Sequence, residues 1–176
     1  RRNEGRTTVK AESRRLMVND VITAKKENRT LQFVVNKRDA TIREGGSDVA
    51  VVTLKSREYG KLDWDDNLNL EICGEAPVVS YIKVEPVSDV VTLFLCGDST
   101  VVDQDIEPWA SWGQMAPAFF DTGIAVANYA ESGERADTFI GAGRLRKALT
   151  QAKPGDYFFI EFGHNDQKLS GPGYGG

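Results

Sequence analysis

Apolar and polar positions change their rhythm near residue 90. Before it, short runs alternate or cluster as strands do. Residues 7–12 alternate loosely, and Leu31, Phe33 and Val35 fall on one face of residues 29–38. A third run covers 50–54, Leu68, Leu70 and Ile72 alternate with Asn67, Asn69 and Glu71, and a fifth run covers 78–84. Turn-forming stretches separate them: Asn36-Lys37-Arg38-Asp39, Glu44-Gly45-Gly46-Ser47-Asp48 and Cys73-Gly74-Glu75-Ala76-Pro77. Short strands at regular spacing predict an all-β sandwich over residues 1–89. A packing or spacer role and a ligand-binding role are both open for it, because a fold does not fix a function.

From residue 90 the chain predicts strand, helix, strand, helix, strand. The strands cover 90–96, 124–128 and 157–162. The first helix follows Glu107-Pro108 with Pro108 in its first turn, where Trp112, Met115, Phe119 and Phe120 can share a face. The second covers 139–152, with Leu145, Ala148 and Leu149 as a buried stripe, and Pro154-Gly155-Asp156 stops it. This order implies an α/β unit over residues 90–176 with a parallel sheet and right-handed crossovers. Each strand runs into a polar turn containing glycine: Gly97-Asp98-Ser99-Thr100, Asn128-Tyr129-Ala130-Glu131-Ser132-Gly133 and Gly163-His164-Asn165-Asp166. In open parallel sheets ligands bind outside the carboxyl ends of the strands, so these turns are expected to converge.

Composition narrows the functional classes. The 176 residues are 40% hydrophobic and 27% charged, as in an ordinary globular chain. No apolar run approaches the ~18 residues of a membrane span, and the first residues contain no apolar signal segment. Residues 1–90 carry sixteen basic and fifteen acidic side chains, and residues 91–176 carry six and eleven. An acidic second half argues against nucleic acid or an anionic membrane as partner. Cys73 and Cys96 make neither a disulfide framework nor a metal cluster.

A strand that ends in a tight turn bearing serine is a means of exposing a nucleophile. Ser99 fits that role, and its own N–H lies near a helix start. Gly133 can bring a second N–H close, and Asn165 can add a side-chain amide; each such donor is worth ~3 kcal/mol toward a tetrahedral oxyanion. The plainer alternatives are a capping serine, a turn glycine and a turn-stabilising asparagine. Asp98 and His164 are candidates on the substrate side, Asp98 with turn ordering as its alternative. His164 can also be a structural hydrogen-bond partner or a base for Ser99. Arg135 is read as solvated or ion-paired, with contact to an acidic sugar as the alternative. Trp109 and Trp112 can stack on sugar rings, and core packing is the reading preferred for Trp112. Trp64, between Asp63 and Asp65, reads as a half-buried aromatic in a polar turn, with calcium chelation by its acidic neighbours as the alternative.

The blocks around Ser99, Gly133 and Asn165 resemble the first three sequence blocks of the SGNH (GDSL-type) hydrolases. The longer stretches Gly97-Asp98-Ser99-Thr100-Val101-Val102-Asp103, Trp112-Gly113-Gln114 and Phe162-Gly163-His164-Asn165-Asp166-Gln167-Lys168 resemble the rhamnogalacturonan acetylesterase branch. The resemblance implies a flavodoxin-like α/β/α hydrolase domain, of which residues 90–176 would be the N-terminal part. It implies an accessory, galactose-binding-like sandwich ahead of it. Ser99 would be the nucleophile, with the Ser99 N–H, the Gly133 N–H and the Asn165 amide as the oxyanion hole. It implies no cofactor and no metal, an acetylated polysaccharide or oligosaccharide as substrate, and a secreted or periplasmic location. The family takes its base from an Asp-x-x-His pair near the C-terminus, and nothing after His164 matches that pattern. The chain is therefore expected to be a fragment, inactive by itself, with its oligomeric state open. A lipase or other acyl esterase, and a glycan-binding protein with a degenerate hydrolase half, are the alternatives.

Overall fold

The structure, a computed structural model, describes residues 4–168. Ahead of residue 90 it places strands β1 (Gly5–Ala11), β2 (Arg15–Thr23), β3 (Thr41–Glu44), β4 (Ser47–Val51) and β5 (Leu70–Cys73). They form a three-stranded antiparallel sheet in the order β2-β1-β5 and a separate β3-β4 hairpin. Two expected strands are absent. Residues 29–38 form no ladder: the Asn36 carbonyl accepts from the Arg15 guanidinium at 2.9 Å, and Arg38 turns inward over the Trp64 ring at 4.5 Å. Residues 78–84 also pair with nothing among the described residues, and Val78, Tyr81, Ile82 and Val84 are exposed.

The second part follows the expected alternation. Strands β6 (Val91–Gly97), β7 (Ile124–Asn128) and β8 (Tyr157–Glu161) form a parallel sheet in the order β7-β6-β8. Successive strand side chains point to opposite faces, and central β6 is buried on both. Leu93 and Leu95 pack with Val101, Val102, Val126 and Ala130 on one face. Phe94 and Cys96 pack with Ala127, Tyr129, Phe139 and Ala148 on the other. Strand β8 is an edge among the described residues, and Tyr157, Phe159 and Ile160 are exposed on it.

The helices are shorter than the periodicity suggests. Helix α1 (Trp112–Met115) starts at Trp112 instead of Pro108, because the Ser111 hydroxyl accepts from the Gln114 N–H and caps it there. A 3-10 turn over Ala116–Phe119 continues it, and Trp112 and Phe119 are exposed, so the expected buried face does not form. The second helix divides into α2 (Ala136–Gly141) and α3 (Arg144–Gln151), separated by Gly143 in a left-handed conformation. Ala148 is buried as expected, whereas Leu149 is exposed.

The first part packs against the second through buried charges. Arg15 pairs with Asp103, and Arg144 of α3 pairs with Glu58. Trp64 meets the edge of Tyr129 with ring centroids 5.7 Å apart, and its indole N–H donates to Glu58 at 3.1 Å. This is the half-buried aromatic that the sequence suggests.

Candidate active site

The parallel register sets Leu95 beside Asn128 and Gly97 beside Glu161, which brings the carboxyl ends of the strands together. Gly97 is needed at its end: a Cβ there would lie 2.6 Å from Val101 Cγ2 and 2.8 Å from the Glu161 carbonyl oxygen. The turn after it is built on Asp98. The Asp98 carbonyl accepts from the Val101 and Val102 N–H groups, and its Oδ1 lies 2.9 Å from both the N–H and the hydroxyl of Thr100. Asp98 is 2% exposed and faces the interior, a placement that orders the turn and does not present its carboxylate to a substrate. Ser99 follows at the half-buried rim, its carbonyl held by Gln104 Nε2 at 3.1 Å. No hydrogen bond to Ser99 Oγ forms among the described residues.

The second turn is tied to the first by Asn128, which is fully buried. Its Nδ2 donates to the Val101 carbonyl at 2.6 Å and to Asp103 Oδ1 at 2.9 Å. The Glu131 N–H donates to the Gly97 carbonyl at 3.2 Å. Gly133 then has φ +76°, a left-handed conformation that suits glycine.

Asn165 joins all three turns. It is 1% exposed, and its Nδ2 donates to the Glu134 carbonyl, one residue past Gly133, at 2.9 Å. The same nitrogen reaches Asp98 Oδ2, one residue before Ser99, at 3.3 Å. Its Oδ1 accepts from Lys168 Nζ. Asp166 completes the third turn by accepting from the Gly163 N–H at 2.9 Å and from the Ala136 N–H of α2 at 3.1 Å. His164 is exposed, and its imidazole makes no hydrogen bond among the described residues, so it is not engaged as a base for Ser99.

Several residues at the site were not singled out in the sequence. Glu161 ends β8 and receives Thr100 Oγ1 at 2.8 Å and the Trp112 indole N–H at 2.7 Å. Trp112 is 41% exposed and is not a core residue, and its backbone N–H donates to the Thr100 carbonyl at 3.2 Å, which sets it beside the Ser99 turn. Lys55 and Arg57 come from the first part of the chain and donate to the Ser132 carbonyl. No local pattern marks these two, because their partners lie more than seventy residues away. Arg135 pairs with Asp137, in line with the ion-paired reading, and Trp109 is exposed. A cleft of about 470 Å³ opens near Ser13, Lys61, Asn69 and Asp105, but Ser99, Gly133 and Asn165 do not line it.

No family model matches the chain. It is 42% identical over 83 residues to the rhamnogalacturonan acetylesterase RhgT of Bacillus subtilis (strain 168), covering 46% of this chain and 36% of that protein. It is 36% identical over 114 residues to the uncharacterized esterase YxiM of the same strain, covering 58% of this chain and 30% of that protein. It is 32% identical over 75 residues to a rhamnogalacturonan acetylesterase of Emericella nidulans, covering 43% and 28% of the two chains. The chain therefore spans about a third of the length of the curated relatives it matches. A crystal structure of YxiM superposes with a TM-score of 0.43 at 27% identity, covering 95% of this chain and 42% of that one.

Proposed function

We propose that this chain carries the nucleophile and oxyanion hole of a serine esterase that removes O-acetyl groups from a pectic polysaccharide of the rhamnogalacturonan type. The observation that carries the reading is the Asn165 amide, which spans from Asp98, beside Ser99, to Glu134, beside Gly133. The relatives named as rhamnogalacturonan acetylesterases support the substrate class.

In this reading Ser99 Oγ attacks the acetyl carbonyl carbon, and its proton passes to a base. The carbonyl π pair moves onto oxygen and is received by the Ser99 N–H, the Gly133 N–H and Asn165 Nδ2. Collapse breaks the bond to the sugar oxygen, which takes the proton back from the base and leaves as the free hydroxyl, and acetyl-Ser99 remains; water then releases acetate by the reverse sequence. Both N–H bonds of Asn165 are engaged within the protein, and the 3.3 Å contact to Asp98 is the longer and weaker one. The N–H on the Asp98 side is therefore the one shared with the oxyanion, with no rotation of the amide. The base in this proposal is an Asp-x-x-His pair outside the described residues. The proposal includes a secreted or periplasmic setting, where such a polysaccharide is met.

The test is hydrolysis of p-nitrophenyl acetate and release of acetate from acetylated rhamnogalacturonan by the intact protein, each compared with Ser99→Ala. Activity that survives in Ser99→Ala, or preference for octanoyl over acetyl esters, overturns the proposal.

A further inference from the structure

Gly133 shares its peptide unit with Ser132, and the oxygen of that unit is held from the other part of the chain. Lys55 Nζ donates to the Ser132 carbonyl at 2.8 Å, and Arg57 Nη2 donates to the same oxygen. Each cation is fixed in turn by a buried acid flanking the turn. Lys55 Nζ lies 2.7 Å from Glu134 Oε1, and Arg57 Nε donates to Glu131 Oε1 at 2.6 Å. Glu131 and Glu134 are each 1% exposed. A Cβ built on Gly133 would lie 3.8 Å from Lys55 Nζ and 3.9 Å from Arg57 Nη2, so both cations are beside this peptide.

We propose that Lys55 and Arg57 are positioning residues for the oxyanion hole, aiming and polarising the Ser132–Gly133 peptide so that its N–H faces the reacting carbonyl. The Ser132–Gly133 bond is trans, and in a planar trans peptide the C=O and N–H point in opposite directions. Fixing the oxygen therefore fixes the direction of the hydrogen. Two cationic donors on the oxygen also draw electron density from the nitrogen and strengthen the N–H as a donor. Catalysis by such donors depends on their being aimed before charge appears. The first part of the chain is on this account a component of the site and not a spacer. The inference rests on Gly133 acting as an oxyanion donor, as proposed above.

The plainer role for the cations is neutralisation of Glu131 and Glu134, and the experiment separates the two. Arg57 is half exposed, so Arg57→Ala and Arg57→Gln are the variants to make, with Lys55→Gln as the second site. In the intact protein, kcat on p-nitrophenyl acetate should fall ~10- to 100-fold, short of the full loss of one oxyanion donor. KM should change less than about threefold, because the donor acts mainly on the transition state. Arg57→Lys should recover most of the loss, whereas adding Glu131→Gln to Arg57→Ala should recover none. The Gly133 amide resonance should shift upfield in every variant that loses a cation, whether or not an ester is hydrolysed. Recovery of kcat by Glu131→Gln, loss confined to KM, or an unmoved Gly133 amide overturns the inference. If the intact protein shows no Ser99-dependent hydrolysis, the esterase reading fails, and the amide shift alone decides whether Lys55 and Arg57 control this peptide.

Discussion

Arg15 Nη2 lies 2.8 Å from Asp103 Oδ2, and both side chains are almost completely buried. The other carboxylate oxygen of Asp103 accepts from Asn128 Nδ2 at 2.9 Å. An ion pair begun in β2 therefore ends in the network that holds the turn after Ser99. Burial pushes the Asp103 carboxyl up, and the Arg15 charge opposes that shift. Removing one member of such a pair strands the other, at a cost of about 3–5 kcal/mol. Arg15→Ala should lower the urea midpoint by a corresponding amount. Replacing both residues with apolar side chains of similar volume should recover much of the loss. An Arg15→Ala midpoint equal to wild type would show that the pair contributes nothing to folding.

Asn165 should divide its effects between turn geometry and chemistry. Asn165→Ala removes the amide that bonds the Glu134 carbonyl and Asp98, leaving buried acceptors unsatisfied at a cost of about 1–3 kcal/mol. It should also lower kcat by ~10²- to 10³-fold, the scale of one lost oxyanion donor. Asn165→Asp keeps the shape but sets a carboxylate against Asp98 and the developing oxyanion, so it should recover no activity. Steady-state kinetics on p-nitrophenyl acetate, with folding monitored by circular dichroism, measures both effects.

The β–α–β–α–β alternation after residue 90 was legible because buried parallel strands such as 91–97 read as near-continuous apolar runs. The three turns were legible because glycine and polar residues follow directly on those runs. The first part was less so. Residues 29–38 have strand-like alternation, yet they form no ladder, and the Asn36 carbonyl among them is taken by Arg15, a partner that no local pattern shows. Trp112 has helical spacing suited to a core position, but a four-residue helix leaves it half-exposed, with its indole N–H on Glu161. Lys55 and Arg57 are illegible in the sequence for the same reason as Arg15: charged residues of ordinary appearance acquire their role only from the tertiary approach of the two parts.

Alkaline pH should weaken the fold through Cys96 and Tyr129. Burial pushes the Cys96 thiol up to about 12, and burial likewise pushes the Tyr129 phenol up to about 12. In the unfolded chain these groups ionise near pH ~8.5 and ~10. Below about pH 8.5 both states hold the thiol proton, and its contribution to stability is fully present. Above that, only the unfolded chain loses protons, so stability falls as pH rises toward 12. For Cys96 the shift corresponds to a contribution on the order of 5 kcal/mol, lost across this window. Urea midpoints should decline from pH ~9 upward, and Cys96→Ala should remove the thiol share of that slope. A flat profile between pH ~8.5 and ~11 would contradict this account of the two groups.

Trp112 is partly exposed beside the Ser99 turn, and its indole N–H donates to Glu161. If the substrate sugar stacks there, Trp112→Ala should raise KM on acetylated rhamnogalacturonan by ~3- to 10-fold, the scale of one aromatic contact. Trp112→Phe should recover part of it. An unchanged KM for the polysaccharide would remove Trp112 from the binding surface.

Gly97 and Gly133 should respond differently to the same substitution. At Gly97 an added Cβ would meet the Glu161 carbonyl oxygen at 2.8 Å, and backbone in a packed parallel sheet cannot easily yield. Gly97→Ala should therefore force β6 and β8 apart and cost about 1–3 kcal/mol, the range of overpacking. At Gly133 the nearest atoms to an added Cβ are Lys55 Nζ at 3.8 Å and Arg57 Nη2 at 3.9 Å, which is ordinary contact. The cost there is the left-handed φ of +76° alone, about 1–2 kcal/mol for a residue with a side chain. Relief of that strain turns the Ser132–Gly133 peptide, so Gly133→Ala should lose activity out of proportion to its loss of stability. Kinetics and urea unfolding on both variants should place Gly133→Ala above Gly97→Ala in lost kcat per kcal/mol of destabilisation. The reverse order would mean that the Gly133 N–H contributes nothing to the reaction.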